Sequence, residues 1–554
     1  MSDKRYAGVF HMGEENNLWK RYCSFYEKDF SEQFECNEKR LERYFLEWKK
    51  TDLAKKLGQG GLERFQDTPV TKYSDYDMLS EFGRKIVDAT KRNPKKPGEL
   101  YREYYDRIGR EIGSSLNRYM VEPYYLCMRT TGTTGESKWV VHGETFWKNL
   151  ASGANTSAIF SCSDGWGETK LENGDKALNI TAPIPYLSGW SAWATQPHLK
   201  LIPPIAVADN LRDMKESFFL IFKAIEKGEK IVLGGGLGSM FYMICKYFVD
   251  PEEFYGEYYH SMSFGSKKML LFLKLLQYGL SKKEGKKIVD FLPLKGVLVG
   301  GMESRLYIDF FKKEFNLEPL HAYGSTEAGN LMRGDPDRKA DLVPDLTTSY
   351  FEFQTEGGDI RNLNELKRGE IYDLVVTPFG SIFFRYDMED LFRVVDFRDD
   401  GMPIFAFEGR KIADLRLYGY YVSSNVIVHA LSIAGLRSSD KWAVAKLLKP
   451  KEHLHFLMEK TWPHSEKEAE KIIFSSLMET EKIIPYRGRT LRNYVTDFRI
   501  EDPSEVIKVE YLRPGAFLRY SIIKAKMGSP LGQYKPPKLI PSERMDVYET
   551  LKSA

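Results

Sequence analysis

The chain has 554 residues, more than a single hydrophobic core organises, so two or more domains are predicted. Hydrophobic residues make up 42%, which predicts a globular protein, and 81 basic against 78 acidic residues leave a net charge of +3. That balance excludes a general electrostatic case for nucleic acid or an acidic membrane surface as partner.

Five scattered cysteines (Cys23, Cys36, Cys127, Cys162, Cys245) show no CxxC spacing. They fit a reduced, cytoplasmic protein without a structural zinc. The opening MSDKRYAGVF lacks the apolar run of a signal peptide. The longest uncharged apolar stretch, Ile231 to Cys245, carries four glycines and is short of the roughly twenty residues of a membrane span. No membrane span is expected.

In chain order, residues 1–65 are charged, aromatic and helical in pattern, and Glu38 to Leu57 places apolar residues at helical spacing. Asp67 to Tyr73 (DTPVTKY) predicts an extended, proline-bearing segment, with helix from about Asp75. Tyr124 to Met128 is an apolar, aromatic strand candidate, and Trp139 to Val141 is extended again. Between them lies Arg129 to Lys138, RTTGTTGESK. Glycines admit close backbone approach, successive N–H groups can face an anion, and threonine hydroxyls add donors. Lys138 adds a mobile positive charge. The loop suits the outer phosphates of a nucleotide, although a polar hairpin turn is the plain alternative. It is not a Walker loop, since Gly132 and Gly135 are too close together.

Further along, Ala177 to Ile180, Lys230 to Leu233, Leu294 to Val299 and Pro319 to Tyr323 predict strands. Helical stretches at Phe218–Glu226, Ser239–Phe248, Lys267–Gly279, Lys282–Phe291 and Tyr307–Phe315 alternate with them. Such alternation predicts parallel sheets flanked by helices. Pro183 to Trp190 predicts an ordered loop. The run Gly234 to Ser239 (GGGLGS) predicts a turn opening a helix, since its spacing is not that of a dinucleotide fingerprint. The lysines at 282, 283, 286 and 287 share one helical face and predict a solvated surface.

His321 to Glu327 (HAYGSTE) predicts a strand ending in a glycine turn that displays a hydroxyl and a carboxylate. A hard oxygen such as that of Glu327 suits Mg2+. Thr326 suits an α-phosphate, and the Tyr323 ring suits an adenine face. Ile371 to Pro378 (IYDLVVTP) is a continuous apolar strand, followed by Phe384 to Leu391 (FRYDMEDL). A carboxylate at a strand end there can grip both ribose hydroxyls. Phe407 to Asp414 (FEGRKIAD) and Glu505 to Phe517, with its Pro-Gly turn, complete the series. A proline-stiffened GQYKPPK follows over 532–538.

Taken together these motifs resemble the adenylate-forming superfamily of acyl-CoA synthetases, adenylation domains and luciferases. Thr130, Thr131, Gly132, Thr133, Thr134, Gly135 and Lys138 fit its phosphate loop. Tyr323, Gly324, Ser325, Thr326 and Glu327 fit its YGxTE motif. The PVTxY entry, the IYDLVVTP strand and the GQYKxP terminus look like plant auxin-responsive acyl-acid amido synthetases. The phosphate loop and the 409–414 segment look more like phenylacetate-CoA ligase. The likeness covers about Asp67 to Leu539.

The resemblance implies an α/β fold. It has a large N-terminal domain of parallel-rich sheets flanked by helices over 1–414, with a helical lead-in over 1–65. A small, mobile α+β C-terminal domain follows over 415–554, hinged near Asp414. It implies ATP and Mg2+ as cofactors and Gly300 and Gly301 in an adenine loop. Asp390 becomes the ribose ligand, with Glu389 departing from the usual glycine before it, and Arg410 contacts ribose or phosphate. Tyr186, Trp190, Gly236 and Gly238 line an acyl pocket for an aromatic or apolar carboxylic acid. Lys535, with Lys538 in reserve, is the mobile catalytic lysine beside Lys138, Thr326 and Glu327. The implied reaction adenylates the acid and releases pyrophosphate. The acyl group then passes to an amine such as an amino acid or, alternatively, to coenzyme A. A non-catalytic nucleotide-binding relative is the remaining alternative, motivated by Glu389.

Overall fold

The computed structural model describes residues 17–130, 138–211, 214–238, 241–242, 244–245, 288–300, 307–410, 415–436, 441–460, 462–483, 489–517, 519–520, 523 and 538–554. The expected phosphate-loop residues Thr131 to Gly135, and Gly301, Asp414 and Lys535, lie outside them. So do the lysines at 282–287 and the 267–279 helix. Two compact units form. The first holds 17–242, 288–388 and 392–407, and the second is formed chiefly by 408–554, together with 389–391.

The first unit opens with helices at Leu18–Tyr22, Phe30–Trp48 and Asp52–Lys56. A single helix from 38 to 57 is not formed. Thr51 takes an extended conformation and its Oγ accepts the Ala54 N–H at 3.1 Å, so the chain stops and restarts at a threonine N-cap. The longer helix buries Phe34, Leu41, Tyr44, Phe45 and Trp48. Trp48 stacks on Phe384 with centroids 3.9 Å apart, and Arg40 donates to Thr347 O at 2.6 Å. The lead-in is therefore part of the first unit's core.

Strand β1 (Leu126–Arg129) and β2 (Trp139–His142) form an antiparallel hairpin with Arg129 opposite Trp139. A seven-stranded sheet follows, from β3 (Lys176–Leu178), β4 (Lys200–Ile202), β5 (Ile231–Leu237), β6 (Gly296–Gly300), β7 (Leu320–Ser325), β8 (Gly329–Arg333) and β9 (Val343–Pro344), in the order β4-β3-β5-β6-β7-β8-β9. Neighbours from β4 to β7 are parallel, and β8 and β9 add antiparallel.

Three local expectations are corrected. Gly234 to Gly236 do not turn, because β5 runs through them. A Cβ on Gly235 would lie 2.1 Å from Leu298 O, and one on Gly234 would lie 2.2 Å from the Phe241 ring. The glycines are there to let neighbours approach. The 183–190 stretch is not all loop, since a helix spans Leu187–Thr195. Gly324 lies within β7 rather than in its turn. A Cβ there would meet Gly329 O at 2.5 Å, so glycine allows the close approach of β8.

A second sheet comprises β10 (Ser349–Gln354), β11 (Ile360–Asn362), β12 (Ile371–Pro378), β13 (Tyr386–Phe397) and β14 (Pro403–Arg410), in the order β11-β10-β12-β13-β14. Strand β12 has the bounds that its apolar run predicts, and it is buried throughout except at Ile371.

The second unit holds the hairpin β15 (Leu415–Leu417) and β16 (Tyr420–Val422). Its main sheet comprises β17 (Trp442–Leu447), β18 (His453–Glu459), β19 (Ile507–Leu512) and β20 (Leu539–Ile540), in the order β19-β18-β17-β20. Alternation divides β17 between two faces. Trp442 and Val444 join Ile473 and Leu477 of the Glu466–Ile483 helix, while Ala443 and Ala445 join Tyr520 and Val547. The expected Pro-Gly turn is present. The Glu459 carboxylate accepts the N–H groups of Gly515 and Phe517, each at 3.0 Å. Among the described residues no helix is long and apolar enough to cross a membrane, and the five cysteines are free.

Candidate active site

The base of the threonine-glycine loop is closed by its own ends. Thr130 N–H donates to Lys138 O, and Lys138 N–H donates to Thr130 Oγ, each at 2.8 Å. The Thr130 hydroxyl thus serves the loop's geometry. Beside it, Arg129 N–H donates to Pro185 O at 3.1 Å, tying the Pro183–Tyr186 segment to β1. The Lys138 ammonium lies 4.5 Å from the Tyr73 ring centroid, and Tyr73 OH donates to Trp139 O at 3.2 Å. Burial and the nearby Glu327 charge push the Tyr73 hydroxyl up to about 12. Tyr73 thus has the Lys138 ammonium against its ring and feels the charge of Glu327, although more than fifty residues separate it from either in sequence.

The PVTKY segment has a second task. Thr71 N–H donates to Arg385 O at 2.8 Å, and Asp387 N–H donates to Thr71 O at 2.9 Å. Thr71 Oγ donates to Phe384 O at 2.7 Å. The start of β13 is thereby fixed to a strand-like segment more than three hundred residues earlier.

Strand β7 carries Tyr323, Gly324 and Ser325, and the reversal into β8 presents Thr326 and Glu327. Ser325 Oγ accepts the Ala328 N–H at 3.1 Å and closes the turn. The Glu327 carboxylate is half-buried and accepts no hydrogen bond among the described residues. Also among the described residues, no group of three His, Cys, Asp or Glu gathers as a metal cage. A lone carboxylate fits Mg2+, which keeps several waters and takes phosphate oxygens as its other ligands.

Tyr323 packs edge-on to Phe392 at 4.9 Å and stacks with Phe407 at 5.7 Å. Gly300 ends β6 opposite Ala322 of β7.

Asp390 and Arg410 meet. Arg410 Nε donates to Asp390 Oδ1 at 3.0 Å, with the Asp390 side chain 2% exposed and that of Arg410 45% exposed. Asp390 lies in the middle of β13, not at a strand end as its motif suggests. Glu389 has φ 58, a left-handed conformation that glycine adopts freely and other residues pay for. This accounts for glycine at that place in the resembling families. Arg385 is buried against Glu352 with bonds of 2.9 and 2.8 Å, so its guanidinium is structural.

Of the four residues expected in the acyl pocket, Trp190 lines a cavity of about 670 Å³ with Arg102, Tyr105, Tyr124, Leu126 and Trp193. Its indole N–H donates to Cys127 O at 3.2 Å. Tyr186, Gly236 and Gly238 are not in that cavity's wall. Tyr186 is buried, and burial raises its hydroxyl pKa.

Sequence reasoning missed His142, Ser381, Phe392 and Phe407. The His142 ring lies flat on Phe146 at 3.6 Å, with Nε2 3.0 Å from Thr326 O and Nδ1 3.1 Å from Ser381 Oγ. Burial lowers its pKa to about 3, so the ring is neutral. The available signal was a polar residue closing the buried strand WVVH. Phe392 and Phe407 carry no signal apart from β-strand alternation.

Residues 342–410 match the GH3 family central domain. The structure of the acyl acid amido synthetase GH3.15 in complex with 2,4-DB is similar over 97% of this chain and 96% of that chain, at 16% identity and a TM-score of 0.68. That of 2-hydroxyisobutyryl-CoA ligase, in the postadenylation state with 2-HIB-AMP, is similar over 95% and 93%, at 12% identity and a TM-score of 0.55. No curated protein sequence matches the chain. Residues 342–410, with their buried β12 and the Asp390–Arg410 pair, thus match the GH3 family central domain, in a chain whose α/β fold is similar to those of an acyl acid amido synthetase and a coenzyme A ligase.

Proposed function

We propose that this protein is an ATP-dependent ligase that adenylates a carboxylic acid and passes the acyl group to an amine such as an amino acid. The observation that carries the reading is the placing of the Lys138 ammonium on the Tyr73 ring at the base of the threonine-glycine loop, with Tyr73 also within the field of the Glu327 carboxylate. A cation, a lone carboxylate and a sequence rich in N–H and hydroxyl donors are the groups that a metal-bound polyphosphate needs.

The substrate carboxylate attacks the α-phosphorus, and pyrophosphate leaves. Residues 130–135 and Lys138 hold the outer phosphates, and Thr326 donates to the α-phosphate. Glu327 would hold Mg2+, which when bound neutralises phosphate charge. Tyr323, packed against Phe392 and Phe407, offers an adenine face, and Gly300 and Gly301 supply the expected adenine loop. Asp390, fixed by Arg410, takes the ribose hydroxyls. Lys535 meets the charge gathering on the phosphorus oxygens. Little covalent work falls to the protein, so positioning and fixed charge dominate. The 415–554 domain, hinged near Asp414, exchanges adenylation groups for acceptor-binding ones.

Trp190 and its aromatic neighbours support an aromatic or apolar acid, a class consistent with the 2,4-DB bound by GH3.15. The higher similarity to the GH3.15 acyl acid amido synthetase supports the amine over coenzyme A, with thioester formation as the second reading because the ligase fold is similar too. Five free cysteines support a reducing, cytoplasmic location.

The test is acid-dependent ATP–pyrophosphate exchange with wild type and Glu327→Ala over aromatic and fatty acids. Active acids are then incubated with mixed amino acids or coenzyme A, and the products weighed. Exchange lost in the variant and an acyl-amino acid product support the proposal. A thioester moves the protein to the ligase reading. ATP binding without exchange for any acid favours the non-catalytic relative.

A further inference from the structure

We propose that His142 is a positioning residue that, with Ser381, sets the direction of the Glu327 carboxylate; this rests on the nucleotide reading of the site. His142 ends β2, and its backbone bridges Ser381. Its Nε2 is 3.0 Å from Thr326 O. A carbonyl oxygen only accepts, so Nε2 carries the hydrogen. Nδ1 is 3.1 Å from Ser381 Oγ, and that hydroxyl is 3.2 Å from Glu327 O. With the hydrogen on Nε2, Nδ1 of the neutral ring is an acceptor, so the single Ser381 hydrogen is shared between Nδ1 and Glu327 O, and ring and hydroxyl together bear on two consecutive carbonyls.

Those carbonyls belong to the two peptide planes that flank the Glu327 Cα. Peptide groups are planar, so restraining both planes restrains φ and ψ at Glu327 and with them the Cα–Cβ direction. The ring itself is held flat on Phe146 at 3.6 Å and is fully buried. A core histidine needing only satisfaction would have no reason to address this turn twice. The arrangement aims the Cα–Cβ bond of the metal-facing residue before any ligand arrives, which lowers part of the ordering cost of binding.

The test compares His142→Phe, which keeps the stack and removes both bonds, with His142→Gln, which keeps a donor for Thr326 O. Calorimetry, with no acid present, measures the affinity for ATP with and without Mg2+. In His142→Phe the affinity gained from Mg2+ is expected to fall about tenfold, the scale of one or two lost hydrogen bonds. Metal-free ATP affinity should move less than about threefold, and His142→Gln should recover most of the loss. Ser381→Ala, expected to lose about three- to tenfold, replaces His142→Phe if that variant does not fold. The inference is overturned by an unchanged Mg2+ gain, by equal loss with and without metal, or by no recovery in His142→Gln. Wild type that binds magnesium-ATP yet exchanges no pyrophosphate removes the ligase reading and leaves this comparison intact. Wild type that binds no ATP removes both.

Discussion

Arg385→Met is expected to destabilise the first unit by about 3–5 kcal/mol, the usual cost of breaking a buried ion pair. Arg385 and Glu352 side chains are 6% and 3% exposed. The guanidinium gives two bonds to Glu352, of 2.9 and 2.8 Å, and more to Gln66 O at 2.9 Å and to Thr68 O. Methionine fills the space but leaves a buried carboxylate and two carbonyls without their donor. Unfolding entropy of roughly 2.1 cal/mol/K per residue over the roughly 350 residues of the first unit gives about 0.7 kcal/mol/K. The midpoint should therefore fall by about 4–7 °C in scanning calorimetry. Adding Glu352→Met removes the stranded charge and should restore about half, since the two carbonyls still cost about 1 kcal/mol each.

The single variant should also become pH-dependent. Burial already raises the Glu352 pKa above its ordinary 4.5, and losing Arg385 raises it further. Between the unfolded value and the higher folded value, the native state binds a proton that the unfolded state has lost. Stability then falls as pH rises through that window and is flat above it. A loss under about 2 °C (~1.5 kcal/mol by the same entropy), no recovery in the double variant, or greater stability at pH 8 than at pH 5 would refute the reasoning.

Gly324→Ala places a Cβ 2.5 Å from Gly329 O, whereas among the described residues Gly300→Ala meets only Ala322 O at 3.5 Å. The first should cost at least about 2 kcal/mol and most of the pyrophosphate exchange, and the second should leave the midpoint within about 1 °C. Glu389→Gly relieves φ 58 and should raise urea stability by up to about 1 kcal/mol. A clear loss instead would mean that the Glu389 side chain makes contacts worth more than its strain. Lys535→Ala should slow exchange about 10²- to 10³-fold. Lys538→Ala, whose ammonium lies 4.1 Å from the Trp442 ring centroid, should slow it less than about threefold; the reverse order would exchange their roles.

By itself the sequence determined what is local. Strand β12 follows from an unbroken apolar run, and the β1–β2 hairpin from two apolar segments around a polar, glycine-rich loop. The alternation of elements was enough for parallel sheets, and the YGSTE and RYDMED stretches are what the proposed nucleotide chemistry was read from. The glycines at 234–236 were misread as a turn, because glycine signals both a bend and a close approach, and only the facing Leu298 and Phe241 distinguish them. Tertiary structure alone decided the long-range pairings. Thr71 fixes the start of β13, Trp48 from the lead-in stacks on Phe384, Arg410 fixes Asp390, and His142 reaches Thr326. Such bonds join residues separated by 20 to more than 300 positions. Periodicity reports which face of an element is buried, but not which distant hydrogen-bonding group it meets there.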